Sequence, residues 1–360
     1  MCGRGIDQML AHSVDPALHE PSGISARDYV RLAERRNGPI ARPLSCAAMW
    51  GHAAREWRRR PTHARIINLE TALTTSDDWQ DKGINYRAHP ANVQCLRTAG
   101  VDACALANNH VLDWGRAGLL ETLAVLRAAG LRCAGAGIDA QQAAAPALLP
   151  GPDGTRTLLF AAGLGSSGIP PCWRAGTGPG VNLLDGSRNS VEMLAERIAA
   201  QRAPGDTVVL SIHWGGNWGY ALPQLQRRFA HALIDEAGVD VIHGHSSHHP
   251  LPVEVYRGKP ILYGCGDFLN DYEGIGGYED YRPDLCLMYF LSLNRRRNLS
   301  RLHMVPLRIR GFRLHRAGAD DALWLCQRLT QQAQSCACGT QLSCDRQRVL
   351  RLHWRQRTHD

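Results

Sequence analysis

The sequence predicts an α/β fold, on three observations. Apolar runs of strand length end in polar residues, stretches with helical spacing close on a glycine, and the two signals alternate in two successive blocks. The divide between the blocks falls in loops rich in Gly and Pro at 150–155 and 163–180. Strand, polar tip and helix as a recurring unit points to sheets with helices on their faces, and such sheets place their sites at the strand ends.

In the first block, Arg65-Ile66-Ile67-Asn68-Leu69-Glu70 and the run from Val101 to Ala107 read as short buried strands. Helices are expected at 91–99, stopped by Gly100, and at 116–129, where Leu119, Leu120, Leu123 and Leu126 share a face and Gly130 is the stop. The second block opens with a strand at 157–162 and a helix near 188–202, then a strand at 207–212 that runs into His213-Trp214-Gly215. A helix is expected from Pro223 to Ala237, with Leu225, Phe229, Ala232 and Leu233 spaced for burial and Gly238 as its stop. Val239 to Ile242 leads into His243-Gly244-His245, and Pro260 to Tyr263 into Gly264-Cys265-Gly266-Asp267-Phe268. Residues 285–293 and 301–310 read as antiparallel strands, and the tail from 319 as a helix and a weak hairpin. The expected division is one domain over 1–315 with an extension, 316–360, packed on it.

Composition narrows the class. Hydrophobic residues make up 44% and charged residues 21%, which supports a sizeable core and excludes a largely disordered chain. Lys and Arg number 41 against 33 Asp and Glu, a formal +8 that permits an anionic partner without requiring one. The runs Arg58-Arg59-Arg60 and Arg295-Arg296-Arg297 read as solvated faces, and no nucleic acid is expected as a partner. No apolar stretch reaches the roughly 18 residues of a membrane span, and the start carries no secretory signal. A cytoplasmic chain is therefore expected, with its 12 cysteines as reduced thiols. Cys326, Cys336, Cys338 and Cys344 lack the paired C-x-x-C spacing of a zinc ribbon.

The chemistry gathers at five strand tips: Glu70; Asn108-Asn109-His110 with Asp113; His213; His243, His245, His248 and His249; and Asp267. Imidazole, carboxylate and amide oxygen without thiolate suit divalent Mn, Zn or Fe, one ion or two. A loop spacing of His245-x-x-His248, between Gly244 and Pro250, lets two imidazoles converge on one centre or reach two adjacent ions.

Five segments in order, Ile67-Asn68-Leu69-Glu70, Asn108-Asn109-His110 through Gly115, His213-Trp214-Gly215, Gly244-His245 through His248, and Gly264 through Phe268, resemble the CapA family over roughly residues 3–310. That family is named for poly-γ-glutamate capsule biosynthesis and is related to the calcineurin-like metallophosphoesterases. The resemblance implies a four-layer α/β/β/α sandwich of mixed sheets with a metal centre at the strand ends. It puts Glu70 in place of a bridging carboxylate, Asn109 as an amide-oxygen ligand, and His213, His245 and His248 as the other ligands. His110 would be the general acid or base, oriented by Asp113. Asp267, Asp113 and His243 are expected just behind the ligands, holding the imidazoles neutral and in place.

Three departures from the family pattern stand out. Members open with a strand ending in Gly-Asp, whose Asp is a ligand; here the chain starts after it, so a ligand segment is expected to be missing from the record. Ser246-Ser247 replaces a frequent His-Pro, and Asp267 stands where Asn is common, adding negative charge near the centre. Arg4, Asp7, Asn85, Arg87 and Asn217, with Tyr86, Trp218 and Tyr220, are expected as substrate walls, Arg4 or Arg87 gripping a carboxylate or phosphate. The implied activity is a metal-dependent bacterial hydrolase acting on a peptide-like, polyglutamyl or phosphorylated small substrate. Alternatives are a metal-dependent peptide epimerase that abstracts a Cα proton, and a non-catalytic scaffold of a polymer-synthesis complex.

Overall fold

The protein was analysed as a computed structural model. It describes residues 2–21 and 23–355, so the ends of the two expected spans, Met1 and residues 356–360, lie outside the described residues.

The largest sheet has seven strands. Four of them, Arg156–Leu164, Thr207–His213, Val241–His245 and Lys259–Leu262, run parallel in that order. Leu183–Leu184 and Ala147–Pro150 attach to the free edge of Arg156–Leu164, and Val253–Tyr256 closes the other end antiparallel. Period-two alternation sends residues of one strand to two cores. Leu158, Phe160, Val208, Leu210 and Ile212 meet Val191, Leu194, Ile198, Phe229 and Leu233 of the helices Arg188–Gln201 and Gln224–Asp235. Leu159, Ala161, Val209 and Val241 face the other way.

That second face packs on two further sheets. One is the three-stranded parallel sheet of Ile66–Asn68, Ala103–Ala105 and Arg132–Ala134, contributing Ala103, Ala105 and Ala134. The other is the five-stranded antiparallel sheet led by Leu285–Leu293 and Leu299–Arg310, contributing Leu285, Leu287, Leu302 and Met304. Their outer faces, through Cys104, Leu106, Cys286, Met288 and Val305, meet Met49, Trp50 and Ala53 of the helix Cys46–Arg59 and Leu119, Leu123 and Leu126 of Gly115–Ala128. The class is α/β, with one mixed, one parallel and one antiparallel sheet as its main sheets. Each buried Leu, Ile or Phe in these cores contributes about 1.5–3 kcal/mol.

The tail follows its expected pattern. Helix Ala319–Ser335 inserts Leu325, Cys326 and Leu329 into the central core, and the hairpin Thr340–Cys344 with Leu350–Trp354 joins the five-stranded sheet by pairing with Leu299–Arg310.

Two helices, Ala26–Asn37 and Cys46–Arg59, arise where no element was expected. Both carried a readable start, because Ser25 accepts from Arg27 N–H and Ser45 from Ala48 N–H, as N-cap serines do. The thiols need a correction too. Cys46 and Cys95 form a disulfide that ties Cys46–Arg59 to Val93–Thr98, and the other ten cysteines are free. Their separation of 49 residues hides this pairing until the two helices pack. Among the described residues, no helix is long and apolar enough to cross a membrane.

Candidate metal centre

Register does most of the work of assembly. Ser211 pairs with His243 and His213 with His245 on adjacent parallel strands, so all four side chains share one face. Between the two histidines only glycine fits: a Cβ at Gly244 would lie 2.4 Å from the Tyr263 carbonyl oxygen. Ser211 Oγ stands 2.9 Å from both His243 Nδ1 and His245 Nε2, and His245 Nδ1 is 2.7 Å from His213 Nδ1. His213 Nε2 turns outward, 3.0 Å from Asn109 Oδ1 and 3.7 Å from Glu70 Oε1.

Glu70 and Asn109 come from the three-stranded sheet. Asn108, fully buried, fixes their two loops together by donating to Asn68 Oδ1 and the Leu69 carbonyl, while Asn68 donates to Glu70 Oε2 at 2.8 Å. Glu70, Asn109, His213 and His245 are therefore brought into direct contact from four strand tips.

His248 sits in a neighbouring group. Its N–H donates to the Asn217 carbonyl, and its Nδ1 lies 3.2 Å from both oxygens of Asp267, which in turn accepts from Asn270. Tyr272 OH is 3.4 Å from His248 Nε2. The preceding Ser246 holds φ at 114°, a strained backbone for a residue with a side chain, and its hydroxyl donates to the Gly215 carbonyl.

His110 forms a third group. Its Nδ1 is 2.7 Å from Asp113 Oδ2; an acceptor-only carboxylate makes that nitrogen the N–H and leaves the lone pair on Nε2. Lys82 donates to Asp113 Oδ1 at 2.7 Å and to the Asn109 carbonyl, and Tyr86 stands edge-on to the imidazole.

Burial dominates the electrostatics. It holds His213 and His245 well below the ordinary histidine range, with neighbouring imidazoles adding to the effect, and takes His243 to about 4. Burial, opposed by Asp113 and assisted by Lys82, lowers His110 to about 4. Glu70 rises to about 7 through burial, with Asp267 adding to the rise and His248 opposing it. Of these histidines His248 moves upward: burial pulls it down, but Asp267 and Glu70 outweigh that.

The donors suit a divalent ion in kind: neutral imidazoles, an amide oxygen, and a buried carboxylate short of compensating charge. Their arrangement is a hydrogen-bonded one. Among the described residues, no three His, Cys, Asp or Glu side chains stand around one point as ligands.

Several expected wall residues point inward instead. Arg4 makes a bidentate grip, but on Asp271, at 3.1 and 2.7 Å, and it also reaches Glu20 and Tyr29 while lying between the rings of Tyr29 and Tyr86. Asp7 is buried and accepts from Val14, His89 and Asn92. Arg87 stacks on Trp114 and binds Asp77, and Asn85 donates to the Gln80 and Asp113 carbonyls. Asn217 and Trp218 do lie at the site, Trp218 5.2 Å from His248 and stacked on Tyr278 at 4.1 Å. Lys82, Ser211 and Tyr272 were not singled out in the sequence; Ser211 had a signal, two residues before His213 on the same strand face.

The fold is α/β, and its strand tips gather imidazole, carboxylate and amide donors around His213. Residues 1–272 match the family described as bacterial capsule synthesis protein PGA_cap, and the chain belongs to that family, the CapA family. It is 45% identical over 330 residues to a probable polyglutamine synthesis accessory protein of Mycobacterium tuberculosis, covering 90% of this chain and 87% of that one. It is 28% identical to the PGA biosynthesis protein CapA of Bacillus subtilis, over 67% of this chain and 60% of that one. A capsule biosynthesis protein CapA of Bacillus anthracis is 27% identical, over 64% and 53%.

Proposed function

We propose that the chain is a metal-dependent hydrolase in the making of polyglutamate or a related cell-envelope polymer, acting on a peptide-like, polyglutamyl or phosphorylated substrate. Glu70, Asn109, His213, His245 and His248 would hold one or two Mn, Zn or Fe ions. A bound ion there supplies an activated water and a Lewis acid. The chain's own contribution centres on His110. Asp113 fixes its tautomer, Lys82 holds Asp113 in place, and burial keeps the ring neutral, so Nε2 can take a proton from a nucleophile and return it to a leaving group. Asp267 orients His248, and Ser211 orients His243 and His245.

The observation that carries this reading is the meeting of His213 with Asn109, Glu70 and His245 within 2.7–3.7 Å. We read the three cores as a four-layer sandwich with the C-terminal helix and hairpin, 316–360, as an extension of the 1–315 domain. Release of glutamate from polyglutamyl oligomers tests the activity: His110→Ala should abolish it while metal content stays. Unchanged release in His110→Ala would remove His110 from the reaction.

The name "accessory protein" carried by the Mycobacterium tuberculosis relative favours a second reading, a non-catalytic member of a polymer-synthesis complex. The Cys46–Cys95 disulfide weighs against the cytoplasmic placement expected from the sequence, since disulfides persist in oxidising compartments. Alkylation of denatured protein purified without reductant tests the pairing: ten labelled cysteines mean the disulfide forms, and twelve mean it does not.

A further inference from the structure

The positive charge of this chain is concentrated at one end. Residues 295–360 hold 14 Arg and no Lys against 4 Asp, a net of ten positive, whereas residues 1–294 hold 27 Lys and Arg against 29 Asp and Glu, a net of two negative. The formal +8 thus belongs entirely to the C-terminal sheet and its tail.

The fold arranges part of this charge on a surface. In Leu299–Arg310, Leu302 and Met304 face the central core, so Arg301 and His303 face outward, alongside Val305. Register places Phe290 and Arg351 directly opposite His303 on its two neighbouring strands, and Ser343 opposite Arg351 on the next. The helix Cys46–Arg59 covers one end of this outer face, packing on the strand Arg313–Arg316, where His52 meets His315, and sharing a core with Met288, Val305 and Val349. It stops before the end carrying Arg301, His303 and Arg351, where Arg301 and Arg351 are exposed. Arg60, just past the helix, lies over the Phe290 ring at 5.3 Å, and Arg316 reaches the Gln347 and Arg348 carbonyls beside the row. Arg351, Arg301 and Arg60 all act on His303, adding to burial in holding it below its ordinary range, which places their charges around one spot.

We propose that this outer face is a docking surface for an acidic, carboxylate-rich peptide chain. The choice of carboxylate over phosphate rests on the polyglutamate reading above; on the face itself Arg351 pairs with Asp345 at 2.9 Å and Arg60 with Glu56, contacts that an incoming carboxylate chain would exchange for its own. A single-stranded nucleic acid would want aromatic platforms for its bases, and Phe290 is half-buried beneath Arg60. Strands spaced about 4.8 Å apart set the cations at intervals that an extended polyanion can follow.

The test is fluorescence anisotropy with labelled polyglutamate at low salt and no added metal, so that docking is read apart from turnover. A labelled DNA duplex and phosphatidylserine vesicles serve as rival probes. Arg301→Glu with Arg351→Glu, both on exposed positions, should weaken polyglutamate binding about tenfold or more while the circular dichroism spectrum and the metal content stay unchanged. The wild type should bind DNA and vesicles at least about tenfold more weakly than polyglutamate. Absence of polyglutamate binding, equal binding by the double variant, or tighter binding of DNA or vesicles would each overturn the proposal. Loss of hydrolysis with binding retained would count against the site and not against this surface.

Discussion

The strand-tip site and the C-terminal sheet face use ionisable groups in opposite ways. At the site, Glu70, His110, His213 and His245 are buried, most of the histidines are pushed toward neutrality, and neighbours place the groups: Asn68 places Glu70, Asp113 places His110, and Ser211 and His213 place His245. On the face, Arg301 and Arg351 keep their charge in water and depend on few partners. Buried polar groups are costly to disturb and specify geometry; exposed charges are cheap to change and act at a distance. One region suits chemistry on a small group, the other attraction of a large one.

Substitutions should expose this asymmetry as stability differences. The largest is expected at Arg4→Ala, which leaves Asp271 and Glu20 buried without their cation: a loss of about 3–5 kcal/mol by denaturant unfolding. A loss below about 1 kcal/mol would mean that the interior tolerates unpaired charge. Ser211→Ala, which strips one hydroxyl from the buried His245 and the half-buried His243, should cost about 1–3 kcal/mol. Smallest is Arg351→Ala, expected within about 0.5 kcal/mol of the wild type. A large effect there would show that the face is structural and would blur the contrast.

The two regions also differ in how far the sequence revealed them. Tips such as His213 and His243-Gly244-His245 announce themselves because an apolar run ends abruptly in imidazoles, and period two then places them on one face. Arg4 was legible as a gripping arginine but not as an internal one, since its partner Asp271 lies 267 residues away. Lys82 lies in a polar loop with no periodicity, so only folding brings it to Asp113. The basic face needed register: Arg301, His303 and Arg351 form a row only once Leu299–Arg310 pairs with the terminal hairpin.

The metal site proposed for Glu70, Asn109, His213, His245 and His248 is open to a direct test. Elemental analysis of purified protein, after dialysis with Mn, Zn or Fe and removal of excess, tests it most directly. One or two ions per chain are predicted for the wild type and for His110→Ala, and loss of ions in Glu70→Ala and His245→Ala with the fold retained. Absence of stoichiometric metal in the wild type, or equal metal in Glu70→Ala and His245→Ala, would contradict it.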